Sequence, residues 1–182
     1  MLSGGLSGFD TPNQLRLSGV YNLPLGRDRS FGKNMNKVLN AIVGGWDVNG
    51  ILGIQSGQPI GIGRPSVNNG KSAHLDNPTI AKWFDTSVFS VAPSYTFGSV
   101  GPVLPDVRTD AQRNLDAVLA KNFTFQVKDR AIRAQFRSEF YNVTNHPQFA
   151  GPNTSVSSLS FGVVSAQFNN TRDIQFGLKI SF

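Results

Sequence analysis

Several stretches of this sequence carry residue types that could do chemistry, and each fails on spacing. Gly70-Lys71-Ser72 has the ending of a phosphate-cradling loop, but that loop needs a glycine where Pro65 stands and a buried strand ahead of it. Gly61-Ile62-Gly63 would begin a dinucleotide fingerprint, yet Ser66 takes the place of the third glycine and no helical pattern follows. His74 and His146 lie in separate loop-like stretches without the spacing of a zinc site. Glu139 is the single Glu among 11 acidic residues, and the Asp residues scatter through turns and strand ends, so no paired-carboxylate site is encoded. There is no Gly-x-Ser-x-Gly elbow. The absence of Cys excludes a thiolate metal site, a cysteine nucleophile and a disulfide framework together. Asn122-Phe123-Thr124 and Asn142-Val143-Thr144 match the glycosylation pattern, as a chain rich in Asn and Thr does by chance. The expectation is a chain without catalytic, cofactor-binding or metal residues, and therefore not an enzyme.

Composition narrows the alternatives. Charged residues make up 15% of the 182, against about a quarter in soluble globular domains. Nineteen Gly and 14 Phe stand in their place, beside a surplus of Asn, Ser and Gln, which suits strands and turns better than long helices. The net charge of +6 is spread along the chain without a dense cluster, so nucleic acid is not an expected partner. Met1 to Gly8 has neither the charged nor the apolar region of a secretory signal, and no apolar run is long enough for a transmembrane helix. A soluble protein would explain both absences. So would a segment of a longer protein, which the remaining pattern favours.

That pattern is a period of two. Leu15, Leu17, Gly19, Tyr21 and Leu23 share one face of a first strand, with Arg16, Ser18 and Asn22 opposite, before the turn residues of 24–29. Trp46, Val48, Gly50, Leu52 and Ile54 share a face in a second run, with Asp47, Asn49 and Gln55 opposite. Residues 60–110 hold little periodicity and read as a structureless loop. Alternation resumes at Leu115, Ala117 and Leu119 and, past Lys121, continues through Phe123 and Phe125. After Lys128-Asp129-Arg130 it restarts at once, with Ile132, Ala134, Phe136, Ser138 and Phe140 against Arg133, Gln135, Arg137, Glu139 and Tyr141. So short a connection predicts a tight hairpin. A short run is expected at 161–168, and a last one places Ile174, Phe176, Leu178, Ile180 and Phe182 opposite Asp173, Gln175, Gly177, Lys179 and Ser181.

Alternation alone also fits a soluble sandwich, so lengths and connections decide. Strands of roughly ten residues match what a tilted strand needs to cross a bilayer, and soluble strands average about five or six. Short connections alternating with long ones are the layout of an outer-membrane barrel. The expected fold is all-β: antiparallel up-and-down strands forming part of a transmembrane β-barrel wall, with long loops on one rim. Charges at Arg133, Arg137, Glu139, Asp173 and Lys179 are expected to pair across strands on the polar face. Trp46 and Phe182, at strand ends, are expected in the interfacial aromatic girdle. The alternative is a secreted β-sandwich serving as a binding or adhesion module, whose hydrophobic faces would pack in a common core.

Three separated motifs then carry a resemblance. Gly44-Gly45-Trp46-Asp47-Val48-Asn49-Gly50 leading to Gln55-Ser56-Gly57-Gln58-Pro59 is the first. Phe136-Arg137-Ser138-Glu139-Phe140-Tyr141-Asn142-Val143-Thr144-Asn145-His146-Pro147 is the second, and Arg172 to Phe182 the third. In this order they resemble the last strands of TonB-dependent outer-membrane receptors, and specifically the Oar-like class with a carboxypeptidase-regulatory-like domain. The resemblance covers the chain from about Leu15 onward. It implies that residues 1–182 are the C-terminal part of a larger barrel whose plug and N-terminal domains are absent here. It also implies import of a nutrient ligand across the outer membrane, with the TonB energy-coupling system, the rest of the barrel and plug, outer-membrane lipid and the barrel-assembly machinery as partners. On this reading Asp47, Asn49, Gln55, Arg133, Arg137, Glu139 and Lys179 are candidate lumen-facing residues. Phe176, Leu178, Ile180 and Phe182 form a candidate assembly signal on the outward face of a terminal strand.

Overall fold

An alternating strand is stable only when a neighbour takes up its backbone N–H and C=O groups, and in this chain the neighbours come in sequence order. The computed structural model describes residues 5–182 apart from Asp28 and Asp129. The first four residues, Asp28 of the expected turn and Asp129 at the tip of the expected hairpin therefore lie outside the described residues. The elements are β1 (Gln14–Asn22), α1 (Lys37–Val43), β2 (Trp46–Gln55), β3 (Ser66–Asn68), a 3₁₀ turn (Thr86–Val88), β4 (Phe89–Val91), β5 (Gln112–Val127), β6 (Arg130–Tyr141) and β7 (Asp173–Ser181). They fall into two compact units.

One unit is a five-stranded sheet in the order β1-β2-β5-β6-β7. β5 pairs antiparallel with β6 from Ala117↔Phe140 to Val127↔Arg130, and β6 with β7 from Arg133↔Ser181 to Tyr141↔Asp173. Leu23 N to Trp46 O (2.9 Å) and Ser56 N to Asn13 O (2.9 Å) set the end of β1 by the start of β2 and the start of β1 by the end of β2, and Asn122 N to Gly45 O (2.9 Å) sets the start of β2 by the second half of β5, so β1, β2 and β5 also alternate in direction. The five expected strands are thus neighbours in one sheet, as their periodicity requires. At the β5–β6 turn Lys128 has φ 55°, the left-handed region that two-residue hairpin loops use. The sheet is open, with β1 and β7 as its edges.

Two motif segments have structural reasons in this unit. Gly45 has φ +72°, and a Cβ there would lie 2.7 Å from the carbonyl oxygen of Asn122; only glycine lets β2 start against β5 at this point. Asn142, buried and at φ 50°, ends β6. Its amide N–H donates to Asp116 Oδ1 (2.9 Å), its Oδ1 accepts from His146 N (3.0 Å), and its Nδ2 donates to Asn170 O (3.2 Å). The Asn-Val-Thr-Asn-His-Pro motif is therefore a joint that fixes the way out of β6 and the way into β7.

The other unit comprises residues 54–112 and 147–169 with the N-terminal stretch. Residues 60–110 are not structureless: they build a hydrophobic core from Ile60, Ile62, Phe84, Val88, Phe89 and Leu104, among others. Phe84 is fully buried, with Phe89 and Phe161 edge-on at centroid distances of 6.0 and 5.2 Å. β3 and β4 form a small antiparallel ladder. The run expected at 161–168 is turns, with one isolated bridge, Phe149↔Gln167. Phe161 packs against the core and Val164 is buried, while Phe168 is exposed. A Cβ on Gly57 would meet Thr109 O at 1.8 Å, which explains the glycine in Gln55-Ser56-Gly57-Gln58-Pro59. Arg108 ties the unit together through Asp10 (2.6 Å) and the carbonyl of Gly57 (3.1 Å).

Phe84→Ala removes the ring at the centre of this core, an expected loss of about 3–5 kcal/mol, seen as rapid proteolysis within 56–111 while the sheet resists. A smaller effect carries a pH signature. Asp85 caps the 3₁₀ turn, and the Ser87 hydroxyl, then the Ser87 N–H and Lys82, hold its carboxyl below the usual 3.8. A depressed folded value means the contribution is complete above pH 3.8 and fades as pH falls through the lowered value. The difference in proteolytic resistance between the native chain and Asp85→Ala should therefore be present at neutral pH and vanish in strong acid.

Candidate functional site

The strand registers turn the sequence parity into two faces. On one, Ile132, Ala134, Phe136, Ser138 and Phe140 of β6 stand beside odd-numbered residues of β5 and even-numbered residues of β7. On the other lie Arg133, Gln135, Arg137, Glu139 and Tyr141, with Asn122 opposite Gln135, Val118 opposite Glu139 and Lys179 opposite Gln135 on the far side.

The apolar face is exposed where a soluble protein would cover it. Ile174, Phe176, Leu178 and Ile180 are all exposed, and Phe182 is 92% exposed. Phe176 stacks on Phe136 at 6.1 Å. The sandwich alternative needs a second sheet packed on these residues; among the described residues there are one five-stranded sheet and a two-stranded ladder, and this face is exposed along β7 and half-buried along β6.

The polar face is organised by a belt across four strands. Asn22 Nδ2 of β1 donates to Asp47 Oδ1 of β2, Asn122 Nδ2 of β5 donates to Asp47 Oδ2, and Gln135 Nε2 of β6 donates to Asn122 Oδ1 at 2.9 Å. Each strand contributes one side chain, and a single carboxylate anchors the row. A second group lies toward the other end of the sheet: Arg137 Nη2 meets Glu139 Oε1 at 2.9 Å, and Tyr141 Oη donates to Glu139 Oε2 at 2.8 Å.

Of the seven candidate lumen residues, the structure places Asp47, Asn49, Arg133, Arg137, Glu139 and Lys179 on this face, and Gln55, the last residue of β2, shares the parity of Asp47. It joins only Arg137 with Glu139. The expected cross-strand charge pairing is corrected: that ion pair runs along β6, because the register sets Gly177 opposite Arg137, Gln175 opposite Glu139, and Tyr141 opposite Asp173. Asn49 Oδ1 is buried without a hydrogen-bond partner. Sequence reasoning missed the partners of the belt, Asn22, Asn122 and Gln135, whose polar parity was visible but whose alignment depends on register. It also passed over Lys121, which stands on the apolar parity and is buried; that misplaced charge was the signal.

The motifs weighed for chemistry are used locally. Ser72 Oγ donates to Asp106, and Asn68 Oδ1 accepts from Gly70 N at 2.6 Å, so the Gly-Lys-Ser stretch is a tied turn. His74 Nδ1 lies 3.2 Å from Asp106 O. Among the described residues no cluster of three His, Cys, Asp or Glu could hold a metal. The arrangement as a whole presents an apolar surface on one side of a single sheet and a hydrogen-bonded polar surface on the other, the two environments a bilayer wall separates.

Residues 2–175 match a family model described as an outer membrane beta barrel domain. No curated protein and no solved structure gave a match.

Asp47→Ala orphans Asn22 and Asn122 at once and should cost about 1.5–3 kcal/mol, the range for hydrogen bonds to a charged group. Asn49→Ala removes a carbonyl that has no partner and should stay within about 0.5 kcal/mol. Urea midpoints of the folded barrel in lipid vesicles measure both; equal effects would mean that the belt does not bear on stability.

Proposed function

The chain belongs to the outer-membrane β-barrel domain family, and from that premise we propose that it forms the C-terminal wall of a TonB-dependent receptor importing a nutrient ligand. Its place in the outer membrane and its antiparallel barrel-type sheet follow from the family match and the topology. The importer reading adds a lumen, a plug and an energy source to that wall. Its main support is the polar belt Asn22-Asp47-Asn122-Gln135 with the separate Arg137-Glu139-Tyr141 group: two hydrogen-bonded groups on one face, backed by a lipid-type face, suit an aqueous passage. The three receptor-like motifs support it further. Two of them are joints of the fold at Gly45 and Asn142, and the third is β7.

In this reading the polar face lines the lumen and contacts the plug and passing ligand. The remaining strands of the barrel pair with the free edges of β1 and β7. The barrel-assembly machinery takes hold of β7 by strand addition, aided by Phe176, Leu178, Ile180 and Phe182, and the TonB system drives the plug. No residue is given a catalytic role.

The two faces can be tested against each other in the complete receptor. Phe182→Asp should lower the heat-modifiable, folded receptor in the outer membrane by about tenfold, because a charge replaces an interfacial aromatic, while uptake per folded receptor stays near normal. Arg137→Ala should leave folded receptor close to native amounts and lower uptake. Normal folding of Phe182→Asp with uptake abolished would overturn the assignment, and uptake that does not depend on TonB would overturn the importer reading.

A further inference from the structure

The connection between β1 and β2, residues 23–45, joins strands at the same end of the sheet as the two-residue β5–β6 turn. By the layout of outer-membrane barrels the short-turn rim faces the periplasm. A tight turn would close β1 onto β2, yet this connection carries α1, capped at its start by Asn36, whose Oδ1 accepts from Leu39 N at 2.7 Å.

The far end of α1 is fastened to the apolar side of the sheet. Lys121 Nζ donates to the carbonyls of Ile42 (3.1 Å) and Gly44. The same ammonium lies 4.9 Å from the Trp46 ring centre and 5.0 Å from that of Phe123. Trp46 Nε1 also donates to Ile42 O at 2.9 Å. A cation is the charge a helix C-terminus favours, and here it explains a buried lysine on the lipid-type parity.

So fastened, α1 does not bury its own apolar residues. None of its residues is buried, and Val38 and Ile42, one turn apart, are 72% and 63% exposed. Leu39 and, earlier in the connection, Phe31 are exposed too. The connection also holds Arg27, Arg29, Lys33 and Lys37 against one acid, Asp28. Arg29 and Lys33 line a cavity of about 400 Å³ together with Asn22, Pro24 and Ser30. Exposed apolar residues on a helix whose end is fastened to the lipid-type side of the sheet, in a connection with an excess of cations, have the chemistry of a segment lying in a membrane interface.

We propose that residues 23–45 are an interfacial anchor that binds anionic phospholipid in the leaflet at the short-turn rim. Val38, Leu39 and Ile42 enter the boundary between headgroups and acyl chains, Arg27, Arg29, Lys33 and Lys37 meet the phosphodiester groups, and Lys121 holds the helix at that depth. The inference rests on membrane residence and not on the importer reading.

The test uses the protein in its complete barrel, free of other cysteines, with an environment-sensitive fluorophore on Val38→Cys or Ile42→Cys and, as a water-exposed reference, on Tyr95→Cys. Vesicles of phosphatidylcholine alone are compared with vesicles containing phosphatidylglycerol. The labels at 38 and 42 should be about fivefold less quenched by aqueous acrylamide than the label at 95, and quenched by lipids brominated near the headgroup. Protection should deepen with phosphatidylglycerol, and Lys33→Glu/Lys37→Glu should abolish that dependence while the heat-modifiable gel shift stays native. Labels at 38 and 42 as accessible as at 95 would overturn the proposal. So would protection that ignores lipid charge, or that appears only as protein concentration rises in detergent, which would mark a second copy as the occupant.

Discussion

Every backbone N–H and C=O of a wall facing hydrocarbon must be bonded within the protein, because lipid offers no replacement for water. The five strands satisfy this internally for β2, β5 and β6, each of which has neighbours on both sides. They leave it unmet along the outer edges of β1 and β7. In a membrane those two rows of groups need partners, and the exposure of Ile174, Phe176, Leu178 and Ile180 suits the same apolar surroundings. The face is built for a solvent other than water. In water, such a sheet with free edges is a template for aggregation.

The same constraint explains where the chain spends its polar residues. Inside a wall, a lone charge is costly and a shared one is tolerable. Asp47 is shared by Asn22 and Asn122, and Glu139 by Arg137 and Tyr141. Lys121, a buried charge on the apolar parity of β5, is taken up by helix carbonyls and aromatic faces. Polar material that the wall cannot use goes into the other unit. There, Asn, Ser and Asp side chains tie turns around a core led by Phe84.

Much of the sheet was legible in the sequence because a period of two survives any register. Leu15 to Leu23, Ile132 to Phe140 and Ile174 to Phe182 each announce a strand and its two faces without reference to a partner. What depends on a partner was hidden. Parity put Asn122 and Gln135 on the polar side, but only the pairing Asn122↔Gln135 makes them part of the Asp47 belt. Parity likewise suggested cross-strand ion pairs that the register replaces with Arg137↔Gly177 and Glu139↔Gln175. Residues 60–110 looked structureless because Ile60, Ile62, Phe84 and Leu104 meet through turns and short bridges, which leave no periodic trace. α1 was missed because seven residues are too few for a helical period to stand out. Its support comes from Lys121, some eighty positions away.

One face of this sheet meets lipid and the other meets water. Single cysteines along β6 and β7 in the complete barrel, in intact outer membranes, test it directly with a membrane-impermeant maleimide and with a lipid-phase quencher. The expected result is an alternation at every second residue: Arg133, Gln135, Arg137, Gln175 and Lys179 positions react from water, and Ala134, Phe136, Phe176, Leu178 and Ile180 positions respond only to the lipid-phase reagent. Uniform reactivity along both strands, or water access on the Phe176 and Leu178 side, would contradict it.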